Sequence, residues 1–291
     1  MVLEESGDYQ ASLDYLAKNE KNIVDKLHLK ERRADLLLKL GRSSDSEKQY
    51  RELIQINSEQ NEYYAGLQRA LGLAGPSFTS VQLEQLTSLY DELSSLYPKS
   101  DSIKRIPLQF LQGEAFASKL SDYLKNGIRK GIPSLFMSLK FIYNDNSKVK
   151  ILEDLVKNFV TSLNSSKKFP NSNNVEAPDA ILWTKLFLAQ HYDVIGDCKS
   201  ALNLIDEAIQ HTPTVIELYV IKAKIYKHAG DLDLCSQYLE KARQMDLADR
   251  YLNNRSSKYL LRTNQIQKAI TTLGLFTKVN IYSNELLIIP F

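Results

Sequence analysis

The feature of this 291-residue sequence that most constrains its fold is a similarity to itself at a shift of 34 residues. The segment LWTKLFLAQHYDVIGDCKSALNLIDEAIQHTPT, from Leu182, aligns with IELYVIKAKIYKHAGDLDLCSQYLEKARQMDLA, from Ile216. A repeat of this length is typical of stacked helical hairpins, in which each unit buries its apolar face against the next. The paired positions are Ala189 with Ala223, Tyr192 with Tyr226, Gly196 with Gly230, Ala201 with Cys235, Ile205 with Leu239, and Ala208 with Ala242.

These positions carry the residue types that two packed helices require. Small residues at the eighth, twentieth and twenty-seventh positions let the first helix (A) and the second helix (B) of a unit approach closely, and the aromatic residue at the eleventh fills the space between them. The glycine at the fifteenth position ends helix A in a left-handed turn. The pattern therefore predicts an all-α fold, a superhelix (α-solenoid) of tetratricopeptide-type (TPR) helix-turn-helix repeats.

A third unit follows at the same shift. Ser257, Leu260, Asn264 and Ala269 occupy the eighth, eleventh, fifteenth and twentieth positions. Asparagine is one of the few residues other than glycine that visit the left-handed conformation, so Asn264 can end a helix A. We therefore predict three TPR repeats over residues 181–277.

Weaker patterns predict the rest of the chain. Residues 1–85 are expected to form TPR-like repeats, and residues 86–180 irregular helices, among them SVQLEQLTSLYDELSSLY, FMSLKFIYN and VKILEDLVKNFVTSL. The stretch 165–179, rich in Ser, Asn and Pro, is predicted to be an exposed loop, and the β-branched tail 278–291 is atypical of a helical array. In the first segment, the residues that fall in register are Ala34, Leu37, Gly41, Ser46 and Tyr50.

Composition narrows the class of partner. Lys plus Arg number 37 and Asp plus Glu number 35, a near balance that argues against a direct nucleic-acid site. The acidic start, MVLEESGDYQ, does not resemble a secretory signal, and the sequence has no apolar run long enough for a membrane span. Cys198 and Cys235 form no CxxC pair and are expected to be small buried residues in a reducing compartment, which predicts a cytoplasmic location.

Motifs for catalysis are absent from the sequence. The four histidines show no HxxxH spacing, so we expect no metal site, and no nucleophile or Walker motif occurs, so we expect no catalytic residues and no enzyme. The segment Arg69–Ala74 does match R-x-x-G-x-A, the acetyl-CoA loop of GNAT acetyltransferases. That loop needs a strand before it and a helix N-terminus after it. Because a helical stretch precedes it here, Gly72 is predicted to cap a helix, and acetyl-CoA binding would favour the enzyme alternative.

A basic pattern repeats with the same period. Lys224 and Lys258 both hold position nine, and His228 and Arg262 both hold position thirteen. Equivalent positions on neighbouring A helices lie side by side on the inner face of a TPR array. Lys224, Lys227, His228, Lys258 and Arg262 should then form one patch that suits a polyphosphate or an acidic protein face. The alternative is an ordinary solvated cationic face.

Several segments resemble one particular family. They are GDYQASLDYLAKNEKNIVDKLHLKERRADLLLKLGR, FLAQHYDVIGD, IELYVIKAKIYKHAGDLDLC and ADRYLNNRSSKYLLR. All are similar to the auxiliary, TPR-containing subunit of the N-terminal acetyltransferase A (NatA) complex, and the resemblance runs from about Gly7 to Lys278. It implies a superhelix that wraps a GNAT-fold catalytic subunit, has no acetyl-transfer chemistry of its own, and positions its partner for co-translational acetylation of nascent chains at the ribosome.

The resemblance also implies a ligand. In some family members inositol hexakisphosphate lies between the two subunits as a structural ligand, and the matching basic residues of this chain are Lys224, Lys227, His228, Arg250 and Lys258. No other cofactor is expected. Family members are longer at both ends, so we expect this chain to be a fragment. A generic TPR adaptor that binds acidic peptide tails in its groove is the alternative function.

Overall fold

The computed structural model describes residues 2–75 and 77–276. Within these two ranges every regular element is a helix, which confirms the predicted all-α class. The chain divides into two compact units, residues 1–123 and 124–291. The predicted segment boundaries near residues 85 and 180 lie inside these units, and the predicted tail, 278–291, lies outside the described residues.

The first unit is a succession of helices of unequal length. Its α-helices are α1 (Val2–Glu5), α2 (Tyr9–Asn19), α3 (Lys26–Lys39), α4 (Ser43–Ile56), α5 (Asn61–Ala70), α6 (Ser80–Leu96), α7 (Asp101–Arg105), α8 (Pro107–Phe110) and the first part of α9 (Gly113–Arg129). A short 3₁₀ segment, Glu20–Asn22, follows α2. Pro107 is the first residue of α8, a position where the missing N–H costs no hydrogen bond, so it begins a helix as well as breaking one.

Helices α3, α4 and α5 pack closely at the small residues between them. Ala34 is fully buried, and its carbonyl accepts a hydrogen bond from the Ser46 hydroxyl of α4 at 2.9 Å. Gly66 of α5 packs against the ring of Tyr50, because a Cβ atom at this position would lie 2.1 Å from the ring atom Cζ. The absence of a side chain at residue 66 is therefore what lets α5 approach α4.

The segment Arg69–Ala74 is the end of a helix. Helix α5 ends at Ala70, Gly72 has φ 69°, and the Leu73 N–H donates to the Gln68 carbonyl at 2.8 Å. This is the six-residue hydrogen bond of a Schellman cap. The prediction of a helix cap at Gly72 is confirmed, and no strand precedes this loop in residues 2–75.

The second unit contains the regular repeats. After the end of α9 come α10 (Leu135–Ser138), a 3₁₀ segment (Lys140–Asn144), α11 (Asn146–Ser166), α12 (Asp179–Ile195), α13 (Cys198–His211), α14 (Ile216–His228), α15 (Leu232–Met245), α16 (Arg250–Arg262) and α17 (Ile266–Gly274). The A helices are α12, α14 and α16, and the B helices are α13, α15 and α17. The prediction of one helix over FMSLKFIYN was wrong: residue 139 separates α10 from the 3₁₀ segment.

The three repeats end their A helices in the same way. Gly196, Gly230 and Asn264 have φ values of 89°, 87° and 58°, so all three lie in the left-handed region. In each repeat the next N–H donates to the carbonyl of position eleven, at 2.9, 3.0 and 2.8 Å respectively. The small residues of the pattern are fully or almost fully buried, namely Ala189, Ala201, Ala208, Ala223, Cys235, Ala242, Ser257 and Ala269.

The predicted loop 165–179 is held to the second unit at two points. Phe169 is buried, with its ring edge-on to Phe159 at 4.9 Å. Glu176 accepts two hydrogen bonds from the Arg129 guanidinium, at 2.9 and 2.6 Å. Much of the remaining loop is exposed, as expected, but the Phe169 anchor was not evident from composition.

Neither a membrane span nor a metal centre is found in the described residues. No helix in residues 2–75 and 77–276 combines the length and apolar character that crossing a bilayer requires. The same residues contain no group of three or more His, Cys, Asp or Glu side chains placed to hold a metal ion. Both cysteines are free thiols; Cys235 is buried, whereas Cys198 is only partly buried, contrary to expectation.

Candidate functional site

The charges of three other cations act on the ammonium of Lys224, on helix α14. Lys224 is partly buried, and this burial lowers the pKa of its ammonium. Asp193 raises that pKa, while the positive charges of Lys227, Lys140 and Arg255 lower it further. Lys140, Lys224, Lys227 and Arg255 are called the basic cluster below. Like charges near a partly desolvated ammonium repel one another, so an anion placed among them would be stabilised.

The thiol of Cys235 indicates the extent of the same positive region. Burial raises the pKa of Cys235 to about 11, and the charges of Arg255, Lys227 and Arg262 act in the opposite direction. Arg262, at the end of α16, is exposed, and its guanidinium lies over the Tyr259 ring at 5.2 Å. Cations of both α14 and α16 therefore act on this thiol.

One carboxylate lies within the basic cluster. The side chain of Asp193 is fully buried, and the Nδ1 atom of His228 contacts its two oxygens at 2.7 and 2.9 Å. A carboxylate only accepts hydrogen bonds, so Nδ1 carries the proton and His228 is fixed in one orientation. The Nε2 atom can then donate to an anion only when the ring carries its second proton. Asp193 both positions His228 and offsets part of the positive charge around Lys224.

The other predicted site residues lie on α16. Lys258 is partly buried and lies three residues after Arg255, so one helical turn separates them. Arg250, at the start of α16, is exposed and its guanidinium lies over the ring of Phe276, at 5.6 Å from the ring centroid. Arg250 thus contacts the end of the third repeat. Its assignment to the polyphosphate site came from the resemblance alone.

Lys222 shows how one helix separates its cations. It lies two residues before Lys224, but its ammonium pairs with Asp206 of α13 and lies 4.3 Å from the Tyr238 ring centroid of α15. Lys222 thus faces the B helices. Burial lowers the pKa of Lys222, yet its hydrogen bonds to Asp206 and Tyr238 raise it above the ordinary value overall.

Two members of the basic cluster were not among the predicted site residues. Lys140 belongs to the 3₁₀ segment before the repeats, where no repeat register exists to align it with Lys224. Arg255 holds the sixth position of its repeat, and it stays near its own helix through a 2.5 Å hydrogen bond to the Tyr251 hydroxyl. The only sequence signal for Arg255 was its presence among the cations of α16.

Fold and site together define a TPR-type helical repeat protein whose basic cluster joins two A helices and the 3₁₀ segment before the repeats. The model of the family described as "N-terminal acetyltransferase A, auxiliary subunit" matches residues 1–287. The chain belongs to this family, whose members are named as auxiliary subunits.

Relatives and a solved structure agree with the family. The chain is 46% identical over 287 residues to the Arabidopsis thaliana N-terminal acetyltransferase A complex auxiliary subunit NAA15, covering 98% of this chain and 32% of that protein. It is 39% identical over 279 residues to the mouse N-alpha-acetyltransferase 16, NatA auxiliary subunit, covering 95% and 32%. The structure of Naa15/Naa10 bound to HypK-THB superposes with a TM-score of 0.85 at 34% identity, covering 97% of this chain and 41% of that chain. The chain thus spans about a third of the length of its curated relatives.

Proposed function

We propose that this chain is part of a non-catalytic scaffold that binds a GNAT-fold catalytic subunit and positions it for co-translational N-terminal acetylation. One observation carries the proposal: 97% of the chain superposes on a protein solved as Naa15/Naa10 bound to HypK-THB, with a TM-score of 0.85. The helical repeats provide extended binding surface, and Arg69–Ala74, the segment that matches an acetyl-CoA loop, is a helix cap. The proposed place of action is the cytoplasm, at ribosomes that the assembled complex contacts.

Affinity purification tests this partnership. The tagged chain, expressed in cells that contain the catalytic subunit, should recover a GNAT-fold protein in stoichiometric amount. The purified chain alone should show no acetyl-CoA binding and no acetyl transfer. Recovery of no GNAT-fold protein by a folded chain would contradict the scaffold proposal, and acetyl-CoA binding would favour the enzyme alternative.

The proposed ligand of the basic cluster is inositol hexakisphosphate. The positive charges of three further cations act on the partly buried Lys224, and phosphates carry the charge that would relieve this repulsion. Lys227, His228 and Lys258 are proposed as further contacts. Lys140 and Arg255, which belong to the basic cluster, are proposed contacts as well, whereas the Arg250 guanidinium lies over the Phe276 ring.

A melting experiment tests the ligand. At a concentration one hundred times its dissociation constant, a ligand of the folded state stabilises it by about 2.7 kcal/mol, so the melting temperature should rise clearly. The variant Lys224→Glu should lose this shift, whereas Lys199→Glu, an equal charge change at an exposed position of α13, should retain it. An unchanged shift in Lys224→Glu would contradict the polyphosphate site.

The generic adaptor is the second candidate, because the basic cluster could also bind the carboxylates of an acidic C-terminal peptide. Competition separates the two functions. If an acidic C-terminal peptide binds the chain in the micromolar range and a polyphosphate displaces it only weakly, the result favours the adaptor function.

A further inference from the structure

The 34-residue register places two equivalent grooves side by side on the B-helix face of the second unit. The first groove lies between α13 and α15, with α14 as its floor. The second groove lies between α15 and α17, with α16 as its floor. Equivalent residues are Lys222 and Ser256, Tyr226 and Leu260, Tyr238 and Thr272, Asp206 and Glu240, and Leu202 and Ser236.

The first groove is filled by its own side chains. The rings of Tyr226 and Tyr238 are stacked, with centroids 5.5 Å apart and planes inclined by 10°. Lys222 lies beside them, 6% exposed, with its ammonium paired to Asp206. Two aromatic rings and a lysine chain thus occupy the space between these B helices.

The second groove has the same frame but smaller residues. Leu260 and Thr272 replace the two tyrosines, and Ser256 replaces the lysine. The Ser256 hydroxyl donates to the Glu240 carboxylate at 2.8 Å, as the Lys222 ammonium pairs with the Asp206 carboxylate in the first groove. The result is an open cavity of about 680 Å³ lined by both B helices and by Leu260. Cavities of roughly 300–1,000 Å³ are typical of ligand sites. The neighbouring groove shows what such a frame accommodates: an aromatic ring.

The wall of the second groove contains a buried hydroxyl without a partner. Ser236 is 1% exposed and lines the cavity, and its Oγ atom has no hydrogen-bond partner among the described residues. The equivalent residue of the first groove is Leu202, whose side chain has no polar atom and needs no hydrogen-bond partner. An unpaired buried polar atom is unfavourable, so a ligand that brings a hydroxyl to Ser236 would gain a hydrogen bond that the free protein lacks.

The charge of the second groove is positive. Its one carboxylate, Glu240, accepts hydrogen bonds from the Arg243 guanidinium at 2.8 and 2.6 Å, and this contact holds the pKa of Glu240 below its ordinary value. Lys241 and Lys268 also line the cavity. The ammonium of Lys268 donates a hydrogen bond to Gln265 Oε1 at 3.1 Å, and that of Lys241 lies 4.7 Å from the Tyr219 ring centroid, so neither contact neutralises its charge. The other polar lining is mostly amide, which can pair with a peptide backbone as donor and acceptor: Gln237, Gln244, Gln265 and Gln267.

We propose that the second groove binds an acidic peptide segment of a partner protein, which inserts a tyrosine side chain between α15 and α17. The ring would occupy the space that Tyr226 and Tyr238 fill in the first groove, and its hydroxyl would pair with Ser236. Flanking carboxylates would meet Lys241 and Lys268. Aromatic side chains with a polar end are frequent anchors of protein interfaces. This site is separate from the basic cluster and does not depend on the proposed function.

Fluorescence anisotropy with the full chain tests the proposal. The probe is a short fluorescein-labelled peptide in which glutamates flank one central tyrosine, and we expect saturable binding. A probe with alanine in place of the tyrosine should bind about tenfold more weakly or worse, because the buried ring is lost. A probe with lysines in place of the glutamates should bind more weakly still.

Variants assign the binding to the groove. Thr272→Tyr restores the ring that the first groove contains and should abolish binding, with an unchanged helical circular dichroism spectrum as the check on folding. Lys268→Glu, on the exposed wall, should weaken binding about tenfold, while Lys199→Glu on α13 and Lys224→Glu in the basic cluster should leave it unchanged.

Three results would overturn the proposal. The first is no saturable binding by the wild-type chain, and the second is equal affinity for the tyrosine and alanine probes. The third is that Lys224→Glu loses binding while Lys268→Glu binds as well as the wild type. The last result would place the peptide on the basic cluster.

Discussion

Replacing Gly66 with alanine should destabilise the first unit, although glycine-to-alanine changes inside helices usually stabilise. Gly66 lies within α5, where alanine would ordinarily gain about 0.5–1 kcal/mol. Here the new Cβ atom would lie 2.1 and 2.2 Å from atoms Cζ and Cε1 of the Tyr50 ring. Tyr50 is 5% exposed, so its ring has no free space to move into. Overpacking of this kind costs about 1–3 kcal/mol, so we expect Gly66→Ala to lose roughly 1–2 kcal/mol overall.

Urea denaturation followed by far-ultraviolet circular dichroism measures this change. The matched test is a double-mutant cycle with Tyr50→Leu, which removes the ring atoms that the new Cβ would meet. Gly66→Ala should be destabilising in the wild-type background and neutral or stabilising beside Tyr50→Leu. If Gly66→Ala stabilises the chain with Tyr50 in place, the close α4–α5 approach is not what residue 66 provides.

Three further changes have predicted directions. Asp206→Asn should cost about 1 kcal/mol of folding stability in urea denaturation, a small value because Asp206 is half exposed. Because the pKa of Lys222 is raised in the folded state, the pair contributes its full stability at pH values below the ordinary lysine pKa of 10.5. The difference between the variant and the wild type should therefore vanish as the pH rises through the raised pKa. Burial lowers the pKa of His191, so folding stability should fall as the pH drops below its ordinary value of 6.5, and His191→Gln should flatten that slope. Gly230→Ala, at φ 87°, should cost about 1–2 kcal/mol of stability in the same assay, and an unchanged midpoint would refute the left-handed cap.

The repeat register was readable from the sequence because its residues are determined by local geometry. A left-handed cap requires glycine or asparagine, and two close helices require small residues, so Gly196, Gly230 and Asn264 marked the helix ends directly. The same local logic separated the cap at Gly72 from an acetyl-CoA loop.

The candidate site was only partly predictable, because its composition depends on side-chain direction and on a segment outside the register. Lys140 approaches Lys224 from a 3₁₀ segment that no periodicity links to the repeats. Asp193 lies at a buried position, so its neutralising contact with His228 could not be inferred from a count of cations.

His191 shows the same difficulty within the register. It is fully buried, with a 2.8 Å hydrogen bond between its Nδ1 atom and the Tyr143 hydroxyl. That partner lies outside the repeats, in the 3₁₀ segment, where sequence periodicity gave no reason to look for it.

Calorimetric titration of this chain with the catalytic GNAT-fold subunit tests the scaffold proposal most directly. With inositol hexakisphosphate present, we predict a saturable one-to-one complex. Lys224→Glu should weaken this complex, whereas Lys199→Glu should leave its affinity unchanged. A folded chain that shows no binding to the catalytic subunit, with the polyphosphate present and at every concentration reached, would contradict the proposal.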